Sequence, residues 1–450
     1  MALWGKFESR EEVQKFIILA ITFFLVIGVY WAMRPIKDSM FMSLVGSKYI
    51  PIAKWVSLFV ITPLVLVYSK LIDTFPRHKV FYMLIGGYTV LTLLFSFLLS
   101  MLLGMPAEEL AVNPAYKVIA WAWYTYVESF GSLIVALFWG FTTDITSSDS
   151  AKRGFPIIAL FGQAGNICGP QVNAARFGFA NSGPVLMIVA VLTALIGVLI
   201  WIFMRVTPDK YLAGYEASKK EEPVEGGNGE PGFFEGLKMM VTKPYLLGIF
   251  LVIFFYEVIV TVIDFVFKTM VGNAFPVERD AGAYLSQYGS WTGIVSLTCV
   301  LLGINNIQRH LGLTASLILT PLLVATGVLL VKFSPMLGVV FWIMVCAKAI
   351  NYALNQPTIK QLYIPTSKDA KYKTQAWIEM FGGRGAKASG SSINIFRAFL
   401  ESKYGQLAGL TLFLTVSTGI SMGLIGIWLF VVMFLAKTHN KAVREKRVVC

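Results

Sequence analysis

Long apolar runs recur down the whole chain, at about 15–34, 51–72, 79–103, 118–145, 154–177, 183–205, 244–268, 283–305, 312–333, 336–359, 375–400 and 408–436. Each approaches or exceeds the roughly 20 residues that cross a bilayer as a helix. Lipid offers no partner to backbone N–H and C=O groups, so a spanning segment satisfies them within its own helix or in a closed barrel. The runs are too long for barrel strands of about 9–11 residues. They predict an all-α membrane protein with about twelve transmembrane helices. Composition agrees: 56% of the 450 residues are hydrophobic and only 14% are charged, against about 25% in a typical soluble domain. A water-soluble fold of such a chain would expose large apolar patches and aggregate. Polar residues interrupt the runs at 336–359 and 375–400, so eleven or thirteen spans remain alternative counts.

The formal net charge of +13 would point to nucleic acid only if the basic residues formed a face on a soluble element. Most sit in short loops between apolar runs instead, so the expected surroundings are membrane lipid and no nucleic-acid partner is expected. Cys168, Cys299 and Cys346 lie inside apolar stretches and Cys450 ends the chain, a pattern with neither a disulfide framework nor metal-ligand spacing. His78, His310 and His439 complete no ligand cluster, so no metal and no cofactor are expected. The first apolar run ends in Arg34 and Lys37 without a small-residue cleavage site, and reads as a mature helix rather than a signal peptide. With the N-terminus placed in the cytoplasm, the inside segments hold more than twice as many Lys and Arg residues as the outside ones. The positive-inside rule then puts both termini in the cytoplasm.

Residues 206–243 differ in composition, with Ser218-Lys219-Lys220-Glu221-Glu222-Pro223 and Gly226-Gly227-Asn228-Gly229 giving the polar, Gly-containing character of a flexible linker. They divide the chain into six-helix halves at 1–205 and 244–450. The halves resemble each other. Pro76-Arg77-His78-Lys79 joins helices 2 and 3, and Gln308-Arg309-His310-Leu311 joins helices 8 and 9. Asp149-Ser150-Ala151-Lys152-Arg153 and Asp369-Ala370-Lys371-Tyr372-Lys373 precede helices 5 and 11, and Phe161-Gly162 and Phe381-Gly382 follow at the same offset of 220. Coincidence among short basic loops would produce some of these matches. Together with the linker and the run count they predict a major-facilitator-like architecture, with substrate bound near the midplane.

An ionisable group at membrane depth costs at least about 2.5 kcal/mol, so it must face a cavity, a partner or an interface. Such groups are Arg34, Lys37 and Asp38 at the end of helix 1, Glu128 in helix 4, Glu257, Asp264 and Lys268 in helix 7, Lys348 in helix 10, and Glu379, Arg384 and Lys387 in helix 11. Arg34 and Lys37 are three apart and share a helical face, as do Arg384 and Lys387 in the other half. Cations outnumber acids, and a phosphate-rich substrate would supply the missing negative charge. Blander readings stand beside this one. Arg34 and Lys37 could snorkel to the outer interface. Asp264 and Lys268, four apart, could simply neutralise each other, and Lys348 reads as structural. Glu128 and Glu379 have no sequence-local partner, and each could be a proton site, a gate or a partner for a basic residue. The stretch Gly382-Gly383-Arg384-Gly385-Ala386-Lys387-Ala388-Ser389-Gly390 lacks the adjacent Gly-Lys-Ser/Thr of a phosphate loop. Its small residues suit close helix packing or backbone approach to a ligand. Trp121, Trp123, Tyr124 and Tyr126 could stack a base or form an interfacial belt. No nucleophile–base pair occurs, so no catalytic residue and no enzymatic activity are expected.

Several of these motifs together resemble the bacterial and plastid, non-mitochondrial ATP/ADP translocase family. Arg34-Pro35-Ile36-Lys37-Asp38 is similar to its Arg-x-x-Lys-Asp signature. Glu128-Ser129-Phe130-Gly131-Ser132 with Phe138-Trp139-Gly140-Phe141 is similar to its Glu-Leu-Trp-Gly-Ser and Phe-Trp-Gly-Phe run. Ile263-Asp264 followed by Lys268 resembles an Ile-Glu with Lys four on, and Lys371-Tyr372-Lys373 through Lys387-Ala388-Ser389-Gly390 resembles its basic segment of helix 11. The resemblance covers about residues 12–436 and implies that Lys37, Glu128, Asp264 and Lys387 are transport-critical. Gln375 stands where the usual exchangers have Lys, Asp264 where they have Glu, and Thr261 where many have Asn.

The resemblance implies a transmembrane nucleotide transporter of a bacterial inner membrane, exchanging ATP for ADP by alternating access and acting as a monomer. Arg34, Lys37, Glu128, Asp264, Lys268, Arg384 and Lys387 are the expected substrate-binding residues, and Glu128, Glu257 and Glu379 the candidates for proton coupling. The alternatives are a proton-coupled importer of other nucleotides and a carrier of another phosphorylated metabolite such as NAD.

Overall fold

A computed structural model of the chain describes residues 7, 9–106, 109, 115–146, 148–175, 178–208, 233–302, 305–366, 374, 377–378, 382–445 and 448–449. Its long helices fall on the apolar runs. In the first half they are α1 (Arg10–Leu44), α2 (Ile50–Thr74), α3 (Arg77–Leu103), α4 (Ala115–Asp144), α5 (Ser148–Cys168) and α6 (Val185–Val206). In the second half they are α7 (Pro244–Ala274), α8 (Glu278–Leu301), α9 (Asn305–Phe333), α10 (Leu337–Ile350), α11 (Gly383–Tyr404) and α12 (Gln406–Arg444). Among the described residues, eight helical stretches are apolar enough in length and composition to cross a membrane. They belong to α1, α2, α3, α6, α7, α9, α10 and α12. Of the other long helices, α8 opens on Glu278-Arg279-Asp280, and α11 holds Arg384, Lys387, Arg397 and Glu401. The chain is an integral, all-α membrane protein.

Helix α1 starts where Ser9 accepts the backbone N–H of Glu12 at 3.1 Å, with Glu11 and Glu12 in its first turn. Both features favour a helix N-terminus. It runs through Pro35 to Leu44 rather than stopping near residue 34. The proline ring removes one backbone bond, a loss that neighbouring helices in a bundle make tolerable. Arg34, Lys37 and Asp38 therefore lie inside a helix and not at its end, which corrects the sequence expectation. In α9 the backbone breaks at Gly312, whose φ of 80° suits a residue without Cβ. Helix α10 continues through a π-turn at Asn351–Asn355 into a helical segment at Gln356–Leu362. The stretch expected to be linker ends in a helix, Phe233–Thr242, while 209–232 lies outside the described residues.

The chain forms two compact units. Unit 1 comprises Met1–Gly46, Phe59–Asn228 and Ala274–Gly293, and unit 2 comprises Ser47–Leu58, Gly229–Asn273 and Ile294–Cys450. Each unit thus includes a piece from the other half, and both pieces come from the second long helix of a half: the first turns of α2 and the first part of α8. In unit 1, α1 packs along α5, α4 and α6. The α1–α5 crossing is close because Gly165 faces the backbone of Phe24 and Gly28, where a Cβ would collide with the Phe24 carbonyl. Small residues permit such approaches between membrane helices. In unit 2, α12 packs on α9 and α11.

Candidate functional site

Unit 1 builds its charged cluster on the last third of α1. Lys37 is 2% exposed, and its ammonium pairs with Glu128 Oε1 of α4 and stands 3.5 Å from Asp38 Oδ1. It also lies 4.2 Å from the centre of the Tyr124 ring. Tyr124 and Glu128 are four apart on α4, which brings ring and carboxylate to one helical face. Arg34 lies over the rings of Trp31, at 4.6 Å, and Tyr30, at 5.6 Å. Arg34 and Lys37 are close enough to repel each other. One ammonium thus meets carboxylates from Glu128 and Asp38, and the negative quadrupole faces of nearby rings add to the compensation.

Unit 2 reverses the proportion. Asp264 Oδ2 of α7 receives Lys268 Nζ at 3.0 Å and Lys54 Nζ at 3.1 Å. The three side chains are 13%, 6% and 13% exposed, respectively. Lys387 of α11 stands 4.0 Å from Glu257 Oε2 and is far more accessible, with 45% of its side chain exposed. Lys348 lies over the Tyr256 ring at 5.8 Å, and its charge acts on Asp264. Asp264 and Lys268 do pair, as their spacing predicts, but they do not close as a simple neutral pair because Lys54 shares the same oxygen. Arg384 and Lys387 both sit on the first turns of α11. Close packing, one of the two roles considered for the small residues here, is realised at Gly390, which faces Thr261 and the Val258 carbonyl of α7. Nothing crowds Gly383 or Gly385. Glu379 and Gln375 lie outside the described residues.

Of the four aromatic residues of α4 that could stack a base or form a belt, Trp121 is half-buried and the other three lie in the protein interior. Trp123, Tyr124 and Tyr126 are buried in unit 1, where Tyr126 donates to the Tyr88 carbonyl at 2.8 Å. Lys54 is not among the charges that the sequence singles out at membrane depth. Its position four residues into the second apolar run was the available signal. A second polar cluster was also missed. In unit 1, Glu278 accepts from Ser39 Oγ at 2.7 Å and from the Ser182 N–H at 3.2 Å, and Arg279 donates to Asn173 Oδ1 at 2.6 Å. A cavity of about 510 Å³ in unit 2, lined by residues such as Ile263, Leu323, Leu330 and Trp342, is apolar and unsuited to phosphate. Among the described residues no group of His, Cys, Asp and Glu could hold a metal ion.

The family model described as TLC ATP/ADP transporter matches residues 2–439. The chain is 25% identical to ADP,ATP carrier protein 1 of Rickettsia typhi, over 97% of this chain and 95% of that protein. It is 26% identical to the chloroplastic ADP,ATP carrier protein 2 of Arabidopsis thaliana, over 97% of this chain and 76% of that one. Among solved structures, nucleoside transporter NupG superposes with a TM-score of 0.57 at 15% identity, covering 93% of this chain and 98% of that one. A bacterial homologue of the iron transporter ferroportin, in an inward-facing state, gives 0.61 at 12% identity over 93% and 99%. At such identities the structural likeness speaks for the fold alone, and that fold is major-facilitator-like.

Proposed function

The chain belongs to the TLC ATP/ADP transporter family, and from that premise we propose that it exchanges ATP for ADP across a bacterial inner membrane, with both termini cytoplasmic. The observation that carries the site assignment is that Lys54 and Lys268 share one oxygen of Asp264 while Lys387 is accessible. A nucleotide polyphosphate supplies the missing negative charge through several oxygens at once. Lys387 and Arg384 hold the phosphates, with Lys268 completing the cationic wall. Lys37 and Arg34 are the cations that the first half offers an anion, which would compete with Glu128 for Lys37. Asp264 and Glu128 keep the cations ordered when no nucleotide is present. The protein moves its substrate unchanged and acts as a monomer.

Alternating access between inward- and outward-open states follows from the two-half fold. Exchange follows from electrostatics: a cavity with surplus positive charge reorients slowly when empty and readily when neutralised. Intact bacterial cells expressing the chain are expected to take up labelled ATP and to release it when unlabelled ADP is added outside. Lys387→Ala should abolish this uptake while the protein still reaches the membrane; near-normal uptake overturns the assignment. Uptake that collapses with a protonophore would instead support proton coupling through Glu128, Glu257 or Glu379. Preferential competition by NAD would move the substrate to a dinucleotide.

A further inference from the structure

The first turns of α2 carry Lys54, a lysine to which the exchange scheme above gives no step of its own. Lys54 lies 3.1 Å from Asp264 Oδ2, and the neighbouring Trp55 donates its indole N–H to Ser392 Oγ of α11 at 3.2 Å. Two consecutive residues thus fasten the start of α2 to the two helices of unit 2 that carry Asp264, Lys268, Arg384 and Lys387. The remainder of α2, from Phe59, belongs to unit 1. The fastening at Asp264 is electrostatically incomplete. One carboxylate oxygen serves two ammonium groups, and Lys268 and Lys387 both repel Lys54. A polyphosphate arriving at Lys268 and Lys387 offers more charge and more oxygens than a single carboxylate.

We propose that the Lys54–Asp264 pair is a substrate-released latch. With the site empty, Asp264 holds Lys54 and keeps the first turns of α2 on unit 2. The phosphates of an incoming nucleotide draw the Lys54 ammonium away from Asp264 and free those turns to move. This rests on the nucleotide-exchange reading and deepens it, because it names the contact that makes return of the empty carrier slow. Lys54 is then a positioning residue of the exchange cycle rather than a further phosphate ligand alone. A ligand can shift a conformational equilibrium only by its differential interaction with the two states, and the exchanged partner of Lys54 supplies that difference.

The test measures efflux of labelled ADP from preloaded membrane vesicles, with and without external ATP, for wild type, Lys54→Gln, Lys54→Arg and Asp264→Asn. Wild type is expected to release label only against external nucleotide. Lys54→Gln should release it without external nucleotide about tenfold faster than wild type, and Lys54→Arg should stay coupled. Asp264→Asn leaves Lys54 in place and removes the carboxylate it shares with Lys268, so it should leak as well. If Lys54→Gln does not reach the membrane, Asp264→Asn decides, and coupled exchange in that variant overturns the latch. So do wild-type coupling in Lys54→Gln, equal leak in Lys54→Gln and Lys54→Arg, or an inserted Lys54→Gln that moves nothing. Wild type that moves no nucleotide at all sinks the exchange reading itself; wild type that exchanges while Lys54→Gln stays coupled sinks the latch alone.

Discussion

In unit 1 one ammonium, that of Lys37, stands between the carboxylates of Glu128 and Asp38, whereas in unit 2 one carboxylate, that of Asp264, stands between the ammonium groups of Lys54 and Lys268. Sequence alone makes the two clusters look alike, since each pairs basic residues at helical spacing with a nearby acid. Their balance differs in sign, and so does what each can do for an anion. The unit 1 cluster is compensated from within: Lys37 is buried, ringed by acids and Tyr124, and Arg34 lies over Trp31. In the unit 2 cluster two ammonium groups share one carboxylate oxygen, next to an accessible Lys387 that faces Glu257. A buried pair whose partners satisfy each other orders helices; a surplus cation invites a ligand.

The largest effect expected from that contrast is on stability in unit 1. Glu128→Ala leaves the Lys37 ammonium buried with less compensation, and should lower unfolding free energy by about 3 kcal/mol. That figure is the low end for breaking a buried pair, because Asp38 still faces Lys37. Thermal unfolding in detergent checks it, and the double variant Lys37→Ala with Glu128→Ala should recover part of the loss. A Glu128→Ala protein as stable as wild type breaks the comparison. In unit 2 the equivalent change should instead be read by nucleotide. Wild type is expected to gain about 2.7 kcal/mol of apparent stability at ATP concentrations a hundred times Kd. Lys268→Gln should lose most of that gain while its nucleotide-free Tm changes less than that of Glu128→Ala. High salt should weaken the ATP effect, since the accessible charge on Lys387 is screened.

How much of this was legible in the sequence divides along the same line. Run length and hydropathy were enough for the helical bundle, because a bilayer leaves helices as nearly the sole solution for such runs. The pairing of Asp264 with Lys268 follows from spacing alone. What spacing cannot carry is contact between distant segments. Lys37 and Glu128 are 91 residues apart, and Lys54 and Asp264 are 210 apart. The one local sign of Lys54 is its place inside an apolar run. Helix α1 also runs past Pro35 to Leu44, although the apolar run ends in Arg34 and Lys37. Packing against α4 and α5 outweighs the one lost backbone bond, and that packing is invisible in a single chain pattern.

A pair of glycine substitutions gives the smallest effects and the finest discrimination. Gly165→Ala in unit 1 drives a Cβ into the Phe24 carbonyl, and backbone cannot swing aside as a side chain does. Overpacking of this kind should destabilise by about 1–3 kcal/mol. Gly385→Ala in unit 2 meets nothing within 4 Å. Replacing a helical glycine by alanine there should stabilise by up to about 1 kcal/mol through helix propensity. Gly385 lies between Arg384 and Lys387 in sequence, so its uptake kinetics carry separate information. If the KM for ATP rises while Tm rises too, the added methyl obstructs a phosphate that approaches the backbone of α11. If KM is unchanged, the glycine is dispensable to binding, and phosphate recognition in unit 2 belongs to the lysine and arginine side chains.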